Sequence, residues 1–175
     1  MSAFGQRLAK LSDRLYDRMR DPRAFTAARG EATARGFDAL RGHKYCLLVT
    51  YRRSGEPVPT PVWFGLDPEG RLYVNTEADS AKVKRIRANA HARVAPANAR
   101  GRPVGPLAEG SARVLASSEE NARAEQALRS NYGLGRKLYE DVLGRALGVP
   151  TVYLEVTPAP TPDAPPPTTE EASAA

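Results

Sequence analysis

The apolar residues of this chain change their period as it proceeds. Phe4, Leu8, Leu11, Leu15 and Met19 recur at helical spacing with charges between them, which predicts an amphipathic first helix ended by Asp21-Pro22. Arg23 to Arg35 is rich in Ala, Gly and Thr and predicts a loop or weak helix, and Phe37 to Arg41 a short helical turn. The period then shortens. Tyr45 to Tyr51 is a dense apolar strand, Arg53-Ser54-Gly55-Glu56 a turn, and Pro57 to Gly65 a second extended run with prolines at 57, 59 and 61. Proline has no N–H to give to a ladder, so this run predicts a bulged edge or a binding surface and not a central strand.

Asp67-Pro68-Glu69-Gly70 predicts a turn and Arg71 to Thr76 a third strand. Asp79 or Ser80 can cap a helix over Ala81 to Ala88, with Val83 and Ile86 on its apolar side. His91 to Ala97 and Leu107 to Leu115 predict the fourth and fifth strands, joined by a loop over 98–106. Glu119 to Ser130 and Leu134 to Leu147 predict helices parted at Tyr132-Gly133. In Thr151 to Thr157, Val152, Leu154 and Val156 alternate with Tyr153 and Glu155, which predicts a sixth strand. From Pro158 onward the chain is rich in Pro, Ala and Thr and predicts a disordered tail. Short strands joined by hairpins, with helices inserted late, predict a mainly β domain: a small antiparallel barrel with peripheral helices. The organisation read from the sequence is therefore an N-terminal helix and loop over 1–35, a barrel over 36–157 and a tail over 158–175.

At 175 residues the chain has one domain's worth of length, with an ordinary 41% of hydrophobic and 26% of charged residues. No stretch is apolar enough to span a bilayer, and the charged N-terminus lacks the apolar segment of a secretory signal, so a cytoplasmic protein without a membrane partner is expected. Cys46 has no second cysteine to pair with and sits in an apolar run, which predicts a small core residue. The net charge of +6 understates the basicity of the barrel. The tail holds three acids and no base, so the rest sets 26 bases against 17 acids, a net of +9. Such a field favours an anionic partner. Nucleic acid is unlikely, because few aromatics interleave with the Lys and Arg to stack bases.

Candidate chemistry concentrates where the third strand meets the next helix. A helix N-terminus presents free N–H donors and the positive end of a dipole. Thr76 and Ser80 add hydroxyls there and Lys82 a formal charge, which suggests a pocket for a phosphoryl group. No nucleophile–base arrangement is visible, so no catalytic side chain is assigned. His43 and His91 are not spaced as a metal pair, so no metal is assigned either. Tyr132 is expected to pack between helices.

The order of Tyr45 to Tyr51, Gly55 to Phe64, Gly70 to Thr76, Asp79 to Arg87 and Gly101 to Pro106 resembles the pyridoxamine-phosphate-oxidase-like (PPOX-class) proteins. It is most similar to the branch that depends on the deazaflavin coenzyme F420. The resemblance covers roughly Gly36 to Thr157. It implies a six-stranded split β-barrel and a homodimer with two coenzyme sites in interface grooves. Lys82 matches the phosphate-binding lysine and Ser80 the small polar residue before it. Ala81 stands between them, where the flavin-binding oxidase has Arg. Asn75 and Thr76 match the strand end that contacts the coenzyme. Pro59, Thr60, Pro61, Val62 and Trp63 match the strand along the tricyclic ring, and Gly105 and Pro106 a segment brought from the partner subunit. The oxidase's C-terminal substrate residues have no counterpart in the tail, which argues against pyridoxamine-phosphate oxidation. The activity implied is hydride transfer between F420 and a small electron-poor substrate. Lys82, Lys84, Arg85 and Arg87, with Arg52 and Arg53, suggest a basic channel for the coenzyme's anionic tail. The alternatives are FMN as the coenzyme, or a carrier of F420, flavin or haem that performs no turnover.

Overall fold

The computed structural model describes residues 21–132 and 150–160. The helices expected before Asp21 and over 134–147, and the tail beyond 160, lie outside the described residues. Strands β1 (Tyr45–Tyr51), β2 (Pro57–Val62), β3 (Gly65–Leu66), β4 (Leu72–Glu77), β5 (His91–Ala97), β6 (Ala108–Val114) and β7 (Thr151–Pro158) join in one antiparallel sheet. Their order is β2-β1-β5-β6-β7-β4-β3. Around it lie α1 (Pro22–Arg29), a 3₁₀ turn (Asp38–Leu40), α2 (Ala81–Ala88) and α3 (Ser118–Tyr132).

Side chains alternate across a strand, and one set from each strand meets in a single buried cluster, with Leu66 of β3 packed against its margin. Cys46 and Leu48 of β1, Val62 of β2, Val74 of β4, Val94 of β5, Ala112 of β6 and Leu154 of β7 belong to it. Strands near opposite ends of the sheet order can share one core only if the sheet curls on itself, and the result is a split barrel. Val83 and Ile86 of α2 enter the same cluster. Each fully buried Leu or Val contributes about 1.5–3 kcal/mol, against about 0.5–1.5 kcal/mol for a hydrogen bond. Packing therefore drives the curl, and the ladder fixes its register.

The outer face is covered as well. Ala24 and Ala28 of α1 pack on Leu47, Val49, Ala95 and Ala97, while Ala124 and Ala127 of α3 pack with Tyr73 and Leu115. Under α3, Glu155 is only 5% exposed and accepts a 2.7 Å hydrogen bond from Nε of Arg113, its cross-strand partner. The polar side of the last strand is thus a charge-paired layer beneath a helix.

The proline-rich run forms the expected edge. Pro57, Pro59 and Pro61 lie opposite Tyr51, Val49 and Leu47, and β2 ends the sheet. Backbone polar groups point alternately to the two sides of a strand, so the three missing N–H groups all fall on the side turned from β1.

The structure refines these expectations and corrects the strand count. Asp21-Pro22 also opens a helix: the Asp21 side chain accepts from the N–H of Arg23 at 2.9 Å, and Pro22 takes the first turn, where its missing N–H costs nothing. The Ala-rich stretch is an α-helix because Ala24 and Ala28, one turn apart, dock on β1 and β5; packing overrides weak propensity. The run over 57–65 divides into β2 and the two-residue β3, giving seven strands where six were expected. The last strand continues through Pro158, opposite Gly110, and Ala159 N–H donates to the Glu109 carbonyl at 3.0 Å, so the strand runs past its expected end at Thr157.

Gly65 is where β3 meets α3. A Cβ there would stand 2.3 Å from the Ala127 carbonyl carbon, and neither backbone can yield without moving an element. Gly65→Ala should destabilise the fold by about 2–3 kcal/mol, the cost of overpacking, read as a lower urea midpoint. The start of α3 is a reciprocal cap. Ser117 Oγ accepts from the Glu120 N–H at 3.2 Å, and the Glu120 carboxylate accepts from the Ser117 N–H at 3.1 Å and from Arg113 at 2.6 Å. Arg113 first, then these backbone N–H groups, hold the Glu120 carboxyl down to about 2 from its ordinary 4.5. A lowered folded-state pKa stabilises the fold above 4.5, and that stabilisation is lost as pH falls toward 2. Glu120→Gln should therefore lower the thermal midpoint at pH 6, with the difference from the parent narrowing as the pH approaches 2.

Candidate functional site

β4 ends at Glu77 and α2 begins at Ala81, so three residues turn the chain from strand to helix. Ser80 holds the N-cap position in extended conformation, yet its side chain makes no capping bond. Its hydroxyl is buried and has no hydrogen-bond partner, an unusual state for a buried polar atom. The α2 ladder starts with Lys84 N–H on the Ser80 carbonyl at 3.2 Å, so the N–H groups of Ala81, Lys82 and Val83 precede it. Lys82 turns back over the strand and donates from Nζ to Thr76 Oγ1 at 2.7 Å. Thr76, only 9% exposed, keeps its own hydroxyl proton to donate. The sequence thus brings Lys82 onto Thr76 at the strand end, with Ser80 at the head of the helix between them in the chain. Ala81 beside them is exposed.

The other predicted residues are distributed as follows. Asn75 faces away from Thr76 by strand alternation and lies opposite Tyr153 of β7. Thr60 lies opposite Leu48 and Val62 opposite Cys46, so both share the inner face with Thr50. Pro59 and Pro61 lie opposite Val49 and Leu47 and take the outer, α1-facing side. Pro61 there borders Gly101, whose φ of 78° is a left-handed conformation suited to glycine. The run over 59–63 therefore presents two different surfaces and not one wall. Trp63 stands in an aromatic group, 6.4 Å from Tyr45 and 5.6 Å from Tyr132 between ring centroids. Gly105 and Pro106 are exposed in the β5–β6 connection, where Gly105 lies so close to Pro96 that a Cβ would meet its ring at 2.8 Å.

The basic helix face is not one solvated channel. Lys84 and Arg87 are exposed, but Arg85 is half-buried and its Nε donates to Thr50 Oγ1 at 2.7 Å. Thr50 has no exposed surface, and a threonine directly after the apolar run Cys46–Val49 was the sequence signal for a polar contact there. Arg52 is turned to Glu56 at 3.2 Å. Tyr132 lies at the end of α3 against the barrel: its hydroxyl accepts from the Phe64 N–H at 3.1 Å and donates to the Lys44 carbonyl. Sequence spacing gave no hint of that contact, because 68 residues separate Tyr132 from Phe64. Burial pushes the Cys46 thiol well above its usual range, so no thiolate nucleophile is available there. His91 stacks on Tyr51 at 4.4 Å and bonds Glu109 at 2.7 Å.

With this geometry in place, comparison with known proteins gives a consistent answer. No curated protein matches the chain. Among solved structures, the haem storage protein HutZ of Vibrio cholerae superposes with a TM-score of 0.52 at 11% identity, covering 71% of this chain and 87% of that one. A conserved hypothetical protein of Mycobacterium tuberculosis gives 0.52 at 17% identity over 80% of this chain and 98% of that one. An FAD-binding protein of Mesorhizobium loti gives 0.50 at 16% identity, over 70% and 84%. These likenesses establish the fold. The sequence pattern of the pyridoxamine 5′-phosphate oxidase family matches residues 32–149, from the connection after α1 to the threshold of β7 and including Thr76, Ser80 and Lys82, and this chain belongs to that family.

Proposed function

We propose that the chain binds the deazaflavin coenzyme F420 as a cytoplasmic homodimer and uses it to exchange a hydride with a small electron-poor substrate. The observation that carries this reading is the buried, unpartnered Ser80 hydroxyl at the head of α2, between Lys82 and the strand end at Thr76. A hydroxyl left unsatisfied in a folded protein costs stability, and an anion seated there would satisfy it. Ser80, Thr76, Lys82 and the first-turn N–H groups would hold the coenzyme phosphate. When bound, the deazaflavin supplies two electrons and a hydrogen as hydride, and the chain supplies position and electrostatics.

The homodimer rests on separate observations. β2 is an open edge, and Val104, 54% exposed in the β5–β6 connection, is the exposed large hydrophobic residue among those described. A two-fold interface would cover both and bring Gly105 and Pro106 to the partner's groove. A second reading is supported at the level of fold, since relatives of this shape include a haem storage protein and an FAD-binding protein. On that reading the chain carries a flavin, FMN among them, or haem without turnover.

Titration with oxidised F420, FMN and haem, followed by quenching of the lone tryptophan Trp63, separates the readings. F420 should bind tightest; tight binding of haem alone would overturn the proposal. Lys82→Ala should weaken F420 binding by about 1.5–3 kcal/mol, roughly ten- to a hundredfold, and lower the thermal midpoint only slightly, because Val83 and Ile86 still dock the helix on the core. Ser80→Ala should weaken F420 binding while leaving the free protein as stable or slightly more stable, because the variant removes a buried unsatisfied group. Sedimentation of dilute protein should show a dimer, and a monomer that binds F420 tightly would defeat the shared groove.

A further inference from the structure

β2 ends at Val62 and β3 begins at Gly65, so Trp63 and Phe64 belong to neither strand. A break in a strand takes backbone groups off the ladder, and where they are buried they must be bonded some other way. Phe64 is 1% exposed, and both of its backbone groups are met by side chains at the C-terminal end of α3. Tyr132 Oη accepts its N–H at 3.1 Å, and Asn131 Nδ2 donates to its carbonyl at 2.9 Å. Asn131 Nδ2 also donates to the His43 carbonyl at 3.1 Å, and Asn131 Oδ1 accepts from Lys44 Nζ at 3.3 Å. Both donors of the Asn131 amide are therefore in use, and its oxygen as well.

Trp63 is the residue left between these anchors. Before it, Val62 is paired with Cys46. After it, Phe64 is bonded to α3, and Gly65 lies against the Ala127 backbone with no room for a Cβ. Held on both sides, the half-buried indole stands 6.4 Å from the Tyr45 ring and 5.6 Å from the Tyr132 ring. Attachment of α3 to the barrel does not account for this arrangement, since Ala124 and Ala127 already pack the helix on Tyr73 and Leu115. An aromatic ring fixed in advance offers a stacking surface that need not be ordered when a ligand arrives, and avoided ordering is gained affinity.

We propose that Asn131 is a positioning residue: through the Phe64 backbone it holds Trp63 in place as a preformed wall for the coenzyme ring. The use of the wall rests on the coenzyme reading above. The fixing of Trp63 by Asn131 does not, and it is measured without any ligand.

Trp63 is the lone tryptophan of the chain, so its fluorescence reports on itself. Asn131→Asp keeps the shape of the side chain but turns an acceptor on the His43 and Phe64 carbonyls. In the full chain without ligand, it should quicken the anisotropy decay of Trp63 and raise its quenching by acrylamide about twofold. Tyr132→Phe, which removes only the hydroxyl, should act in the same direction and less. Ser117→Ala, at the other end of α3, should lower the thermal midpoint and leave both Trp63 readings at the parent values. In equilibrium dialysis, Asn131→Asp should bind oxidised F420 about two- to tenfold more weakly, the cost of freezing one mobile ring on binding, and Ser117→Ala should bind it as the parent does.

A Trp63 as rigid in Asn131→Asp and Tyr132→Phe as in the parent would overturn the positioning role. Equal loosening of Trp63 in Ser117→Ala would overturn it too, since the effect would then be a general softening of α3. A loosened Trp63 with unchanged F420 affinity would overturn the use of the wall for the coenzyme. Failure of the parent to bind F420 would overturn the coenzyme reading, while the anisotropy still decides whether Asn131 fixes Trp63.

Discussion

Helix α2 holds the curled sheet together. β1 and β4 each lie one strand in from opposite ends of the sheet, and α2 ties one to the other. Val83 and Ile86 supply the packing by entering the common core. Arg85 on Thr50 anchors the helix to β1, and Lys82 on Thr76 anchors it to β4. Without Val83 and Ile86 the shared core would lose two of its buried members. Burial sets the size of the effect. The two hydrogen bonds set the direction in which the helix points, and so where its N-terminus falls.

That direction is what connects fold to function. The same docking that closes the barrel aims the first turn of α2 at the end of β4 and leaves Ser80 buried without a bond. A cap residue that does not cap is a small loss of stability held at one point, and ligand sites are where proteins hold such losses. The bond of Lys82 to Thr76 both helps to fix the helix and keeps the cation beside the strand end, where the proposed coenzyme phosphate would lie. The proline edge of β2 works to the same end: by withholding N–H groups, Pro57, Pro59 and Pro61 discourage another strand from adding there.

Much of this was legible in the residues themselves. The limits of β1, α2 and β5 follow from where apolar periodicity starts and stops, since those segments carry their signals locally: a dense β run, an N-cap with a 3.6-residue stripe, and an alternating run. The group Thr76, Ser80 and Lys82 was legible for the same reason, because six residues across one turn bring them together whatever else the fold does. The α1 segment was left between loop and weak helix because its alanines carry little periodic signal, and the partners Leu47 and Val49 decide for the helix.

The sequence by itself therefore determined the strand and helix periods, the meeting of Thr76 with Lys82 and the proline edge, all products of neighbours within a few residues. Only the tertiary structure decided that the outer face is covered by α1 and α3, that Arg85 serves Thr50 instead of solvent, and that Tyr132 reaches Phe64. The alternation of Tyr153 and Glu155 with Val and Leu is the same for an outer face in water and for one paired with charge under a helix, so the pattern cannot distinguish them. The difference lies in contacts between residues far apart in the chain, such as Arg85 with Thr50 and Asn131 with the Phe64 carbonyl. Those contacts exist only after the apolar strands have curled, because curling is what brings the two ends of the sheet within reach of one helix.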